Sequence, residues 1–149
     1  MDKENSLKLE NQLCFQLYTA ARLSTRLYHQ LLNDLDITYP QYLVFLVLWE
    51  HSPRKVSDIS DALLLESSTL TPLLKRLEDK GLVKRERQKT DERVVEISLT
   101  EEGQNLREKA ICIPSELIKN LKTENISLEE FLKLKDILQK LNVHLTDLK

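Results

Sequence analysis

The stretch from Leu65 to Gly103, LESSTLTPLLKRLEDKGLVKRERQKTDERVVEISLTEEG, changes its hydrophobic period twice, from helical to alternating and back to helical. Few folds accommodate that order. Ser67, Ser68 and Thr69 supply side-chain oxygens able to cap a helix, and Pro72 follows within the first turn, where a missing amide proton costs little. Leu70, Leu73, Leu74 and Leu77 recur at helical spacing, with Thr71, Lys75, Arg76 and Asp79 on the opposite side. Lys80-Gly81 closes the helix, glycine standing where a left-handed residue is wanted. Leu82–Arg87 and Arg93–Leu99 then read as two short strands, the second alternating Val95, Ile97 and Leu99 against Val94, Glu96 and Ser98, with Gln88–Glu92 as the loop between. With a short helix before it at Ser57–Leu64, the pattern is that of a winged helix-turn-helix.

Charge is distributed in keeping with that pattern. Between Lys75 and Arg93 eight basic residues face five acidic ones, a local net of +3 in a chain whose formal net charge is −2. Such a concentration on one helix and hairpin is what a phosphate-binding footprint requires, and it is equally what a solvated helix and hairpin without a ligand would carry. The candidate contacts are Ser67, Ser68, Thr69, Thr71, Lys75 and Arg76 on the helix, and Lys84, Arg85, Arg87, Lys89, Asp91 and Arg93 on the hairpin.

The rest of the chain reads as helix. Two glycines, four prolines and 5% aromatic residues leave few breaks, and 149 residues with 41% hydrophobic content suit one domain with extensions for dimerisation. Leu13, Leu17, Ser24, Leu27, Tyr28, Leu31 and Leu35 mark a stripe that makes Ser6–Leu32 one long helix, about 40 Å by helical rise. Asp34–Thr38 is a turn. Tyr39-Pro40 opens a second helix whose body, Tyr42–Trp49, is apolar on every side and therefore buried; His51-Ser52-Pro53 ends it. Thr100 caps a helix running through Gln104, Leu106, Ala110 and Ile113, which Pro114 should kink or break. Lys122–Ile126 is a polar loop, and Ser127–Glu130 is a capping box opening a last helix with Phe131, Leu134, Leu138 and Leu141 on its apolar side. The first and last helices carry more apolar surface than a monomer hides, so the expected architecture is mainly α with a small β-hairpin wing: a single domain with a winged helix-turn-helix at about residues 55–99, flanked by dimerisation helices at about 6–33 and 104–148.

The polar N-terminus lacks the apolar core of a signal peptide, and the longest apolar run is far shorter than the ~20 residues a bilayer needs, so a cytosolic protein without a membrane partner is expected. Cys14 and Cys112 form no disulfide framework. His29, His51 and His144 have no metal-ligand spacing, and neither a glycine-rich phosphate loop nor a nucleophile elbow occurs; no cofactor and no enzyme is expected.

The blocks S-x-TLTPLLKRLE-x-x-GLV-x-R and DER-x-V-x-ISLTE-x-G resemble the MarR family of bacterial transcription regulators. KLENQLCF, ITYPQYL at residues 37–43 and LWEH at residues 48–51 narrow the resemblance to its organic hydroperoxide resistance regulators, from about Lys8 to Pro114. The resemblance implies a homodimeric repressor on a pseudo-palindromic operator in double-stranded DNA, released when an organic hydroperoxide oxidises Cys14. It also implies that Tyr28 and Tyr39 hydrogen-bond that cysteine and that Arg93 enters the minor groove. Tyr18, four residues after Cys14 on the same helical face, adds a phenol to the sensor pocket. Read without the family, Cys14 is a small buried hydrophobe in a helical stripe. Cys112 lies earlier than the second cysteine that some members carry and is read as structural, leaving a one-cysteine mechanism capped by a small thiol. Ser68 and Glu66 depart from the family's glycine and aspartate, so the operator sequence does not carry over.

Two other functions fit parts of the sequence. A regulator answering a small phenolic ligand would use the same interhelical cavity. A thiol peroxidase acting through Cys14 would leave the basic wing unexplained. Geometry adds one expectation: Tyr28 is fourteen residues after Cys14, about 21 Å along one helix, so any bond between them must cross a dimer with the two first helices antiparallel and Tyr39 arriving from the same partner.

Overall fold

The computed structural model describes residues 5–122 and 125–148, and the chain divides into two compact units, one ending at Ile113 and one beginning at Pro114. The first unit holds α1 (Leu13–Leu32), α2 (Tyr39–Glu50), β1 (Arg54–Lys55), α3 (Val56–Leu63), α4 (Ser67–Asp79), β2 (Val83–Arg87), β3 (Val95–Leu99) and α5 (Glu101–Ala110). From Ile113 the chain continues as α6 (Ile113–Leu121) and α7 (Leu128–Asp147). The architecture is mainly helical with a small antiparallel sheet, as the sequence predicts.

α2 is the centre of the first unit. Val44, Phe45 and Leu48 are fully enclosed, and Leu32, Ile59, Leu70, Leu74, Leu77, Val83 and Ile97 close around them. Each such side chain is worth about 1.5–3 kcal/mol of burial. The apolar face of α4 is therefore held by Leu70, Leu74 and Leu77, which forces the other face outward. The start of α2 is fixed by the Gln41 side-chain oxygen, which accepts the Thr38 amide proton at 2.9 Å and so satisfies a buried polar group.

Several boundaries differ from the sequence reading. α1 begins at Leu13, not Ser6; 3-10 turns at Asn5–Leu7 and Leu9–Asn11 precede it. The cause is side-chain competition with the backbone, since the Asn11 amide donates to the Asn5 carbonyl at 2.7 Å and Gln12 donates to those of Ser6 and Lys8. At α4 the N-cap is Glu66, with no side-chain bond to the helix, so Ser67, Ser68 and Thr69 lie inside the first turn and do not cap it. The second hairpin strand starts at Val95 because Asp91 accepts from the amides of Arg93 and Val94, each at 3.0 Å, and holds residues 91–94 as a turn. Two-residue β1 adds a third strand, giving the order β1-β3-β2. Thr100 caps α5 by accepting from the Gly103 amide at 3.1 Å. The break expected at Pro114 occurs, α5 stopping at Ala110 and Pro114 sitting in the first turn of α6. The polar loop expected at Lys122–Ile126 falls partly outside the described residues, and the Ser127–Glu130 capping box is present. On α7, Phe131, Leu138 and Leu141 are half-buried and Leu134 is exposed.

Candidate nucleic-acid interface and sensor pocket

Because the α4 leucines point into the core, Ser67, Ser68, Thr69, Thr71, Lys75 and Arg76 all project into solvent along one face. The Schellman-like end of that helix, with Gly81 at φ 70° and the Leu82 amide returning to the Leu77 carbonyl at 3.0 Å, turns the chain directly into β2. The register pairs Arg85 with Ile97 and Arg87 with Val95. Val83, Arg85 and Arg87 therefore share the inward face with Val95, Ile97 and Leu99, and Lys84 faces out.

That register divides the predicted cations into two kinds. Lys75, Arg76, Lys84, Arg87, Lys89 and Arg93 are exposed, Arg93 in the turn at the hairpin tip. Arg85 is half-buried and reaches Glu78 of α4 at 3.6 Å; it braces the wing against the helix. Arg87 donates to the Glu92 carbonyl at 3.4 Å, and Asp91 shapes the tip through its bond to the Arg93 amide. Lys55 is a further exposed cation, on β1 beside the sheet's central strand, a two-residue strand that the sequence pattern does not reveal.

The sensor candidates lie at the two ends of α1. Cys14 is exposed in its first turn, and Tyr18, one turn on, is 62% exposed. Tyr28, near the other end, stacks against Tyr39 of α2 with ring centroids 4.2 Å apart and meets Tyr42 at 5.9 Å. Burial, then the neighbouring Tyr39 and Tyr42, pushes the Tyr28 phenol up to about 12, and burial also raises Tyr39 and Tyr42. All three thus stay O–H donors across the physiological range, the form that can donate to a sulfur. Tyr42, which the sequence reading placed only in the core, belongs to this cluster; its spacing of three from Tyr39 was the available signal. Cys112, in the turn between α5 and α6, is exposed and donates to the Lys109 carbonyl at 3.5 Å. Within one chain Cys14 and Tyr28 are separated by a continuous helix, about 21 Å by rise.

A cleft of about 300 Å³ separates the start of α2 from the N-terminal half of α4, lined by Thr38, Pro40, Ser68, Thr69, Pro72 and Arg76 among others. Among the described residues no group of histidine, cysteine, aspartate or glutamate could hold a metal ion, and no helix is long and apolar enough to cross a membrane.

The family model of transcriptional regulators SarA/Rot matches residues 26–110. The organic hydroperoxide resistance transcriptional regulator of Bacillus subtilis is 52% identical over 117 residues, 78% of this chain and 80% of the relative. AbfR of Staphylococcus epidermidis, in its reduced form bound to DNA, shares 40% identity over 99% of both chains with a TM-score of 0.81. Its disulfide form aligns over 98% of this chain and 95% of AbfR, at 40% identity and a TM-score of 0.63.

Proposed function

Because this chain belongs to the SarA/Rot family of MarR-like winged-helix transcription regulators, and so is a DNA-binding regulator and not an enzyme, we propose that it is a homodimeric repressor that senses organic hydroperoxides through Cys14. α1 and the helices after α5 serve as the dimerisation elements, and the protein acts in the cytoplasm on a pseudo-palindromic operator. The observation that carries the reading is the separation along α1. An exposed thiol stands at one end and a closely packed pair of phenol donors at the other, and an antiparallel second copy of α1 brings each to its counterpart. The reduced Cys14 sulfur accepts from Tyr28 and Tyr39 of the partner. A hydroperoxide transfers its terminal oxygen to the thiolate as the O–O bond breaks, its proton leaving with the alcohol, and the sulfenate takes a proton from water to become the sulfenic acid. The tyrosine bonds break and the spacing of the two α4 helices changes relative to successive major grooves. The test is operator binding with and without cumene hydroperoxide, titrated against a second thiol as reductant; binding indifferent to peroxide would end the reading.

α4 enters the major groove with Ser67, Ser68, Thr69 and Thr71 toward base edges, and Arg93 reaches the minor groove from the wing tip, where the negative potential of a narrow groove favours an arginine. Arg93→Ala is expected to weaken operator binding by about 1–3 kcal/mol in a fluorescence-anisotropy titration. Unchanged affinity would remove the wing from recognition. Lys75, Arg76 and Lys84 are the free cations placed for phosphates, Arg85 being engaged with Glu78. If each neutralises one phosphate in both subunits, log affinity falls against log salt with a slope of about −5, and Lys84→Ala makes it shallower by about 2. A flat salt dependence would discard this surface.

The cleft beside α4 favours a second reading: prolines, hydroxyls and the Arg76 guanidinium suit a small phenolic acid. Release of the Cys14→Ser protein from DNA by such a compound, with no peroxide present, would select it.

A further inference from the structure

Asp36 lies in the turn between α1 and α2, three residues before Tyr39, with its backbone in the left-handed region at φ 50°. There both of its oxygens point the same way. The Lys80 ammonium donates to the Asp36 carboxylate at 2.7 Å and also to its main-chain carbonyl. Lys80 is the C-cap of α4, immediately before the left-handed Gly81 that leads into the wing. The contact therefore joins the turn that leads into Tyr39, the first residue of α2, to the point where recognition helix becomes wing, across 44 residues of chain.

An ion pair this exposed contributes little to stability, since the Asp36 side chain is 91% exposed and solvent screens it. Its geometry gives it a different use. Asp36 is anchored by its own amide to the Asn33 carbonyl at 3.0 Å, so the acceptor is fixed to the end of α1, while the donor is fixed by helix termination. At the opposite end of α4 the same turn faces the open cleft of about 300 Å³ beside Ser68, Thr69 and Pro72. One end of the recognition helix is tied to the turn that leads into Tyr39, and the other borders an open cleft while Leu70 stays buried in the core.

We infer that the Asp36–Lys80 contact is a pivot through which displacement of the Tyr39 turn rotates α4 and the wing; the inference rests on the peroxide-sensing reading above. When the sulfur no longer accepts from Tyr39, the turn before it relaxes, Lys80 follows it, and α4 turns together with the wing. The contact thus couples the sensor to DNA without touching either.

The experiment compares operator affinity before and after cumene hydroperoxide for the wild type, Lys80→Met, which keeps the aliphatic stem, and Lys80→Arg, which keeps the donors. Cys14 oxidation is followed by mass spectrometry in the same samples. Lys80→Met is expected to bind DNA in the reduced state as the wild type does, to be oxidised at Cys14 equally, and to lose about twofold to fivefold of the peroxide-induced change in affinity, the lower part of the scale for a residue carrying coupling, as an exposed pair allows. Lys80→Arg should restore it. Should Lys80→Met fail to fold, Asp36→Asn, which removes the charge and keeps the carbonyl acceptor, carries the test with a smaller expected loss. A full response in Lys80→Met, an equal defect in Lys80→Arg, or diminished Cys14 oxidation would each overturn the pivot. A wild type that peroxide does not release would overturn the sensing reading and the pivot together.

Discussion

The Cys14→Ser protein is expected to bind the operator in the reduced state within about twofold of the unmodified protein and to remain bound in an excess of cumene hydroperoxide. Serine keeps nearly the volume of cysteine and can still accept a phenol proton, so the dimer contact survives, but its oxygen cannot enter the sulfur oxidation ladder. The effect on release is therefore the whole response, set against the 5- to 150-fold range typical of coupling between two sites. Release of Cys14→Ser by peroxide would place the sensor elsewhere. Cys112, exposed in the turn after α5, would be the next thiol to test, and Cys112→Ser is expected to respond as the unmodified protein does.

Gly103→Ala is expected to lower stability by about 3 kcal/mol, the upper part of the range for overpacking, and the melting temperature by roughly 6–12 °C. A methyl group there would lie 2.0 Å from the Leu82 carbonyl oxygen, and that oxygen is itself held by the Thr100 amide at 3.2 Å. The Gly103 carbonyl accepts from the Trp49 indole at 3.1 Å, so α5 cannot back away without breaking its tie to α2. Alanine would otherwise favour a helix interior by about 1 kcal/mol, so the sign of the measured change isolates the clash. Gly81 makes the comparison, having open space around its Cβ position and a φ of 70°. Gly81→Ala should cost only the left-handed backbone penalty, about 1 kcal/mol. A stabilised Gly103→Ala would contradict the packing described for α5.

The two glycines also mark what can be read from sequence. Gly81 is legible because it follows a periodic helix with a basic last turn, a local signal, and its left-handed conformation is what that signal predicts. Gly103 reads as an unremarkable helix residue, because the atom it must avoid belongs to Leu82, brought close only by the sheet. The same distinction runs through the site. The outward face of α4 follows from the spacing of Leu70, Leu74 and Leu77, whereas the loss of Arg85 to Glu78 depends on hairpin register. Ser67–Thr69 carry the composition of a cap, yet the N-cap is Glu66 and none of them caps the helix, since the buried leucines set its phase and the chain entering from Leu64, itself left-handed at φ 52°, sets its start. Tyr28 and Tyr39 as cysteine partners follow only from the family resemblance; that Tyr42 completes the cluster and that Lys80 reaches Asp36 are contacts between elements remote in the chain, which periodicity does not encode.

The central claim is that sensing crosses the dimer, and the direct measurement is the structure of the reduced protein as it assembles in solution. The account predicts two antiparallel α1 helices, with the Tyr28 hydroxyl of one subunit within hydrogen-bond distance of the Cys14 sulfur of the other, roughly 3.0–3.5 Å, and Tyr39 beside it. A dimer that leaves Tyr28 far from the partner's Cys14 would contradict it.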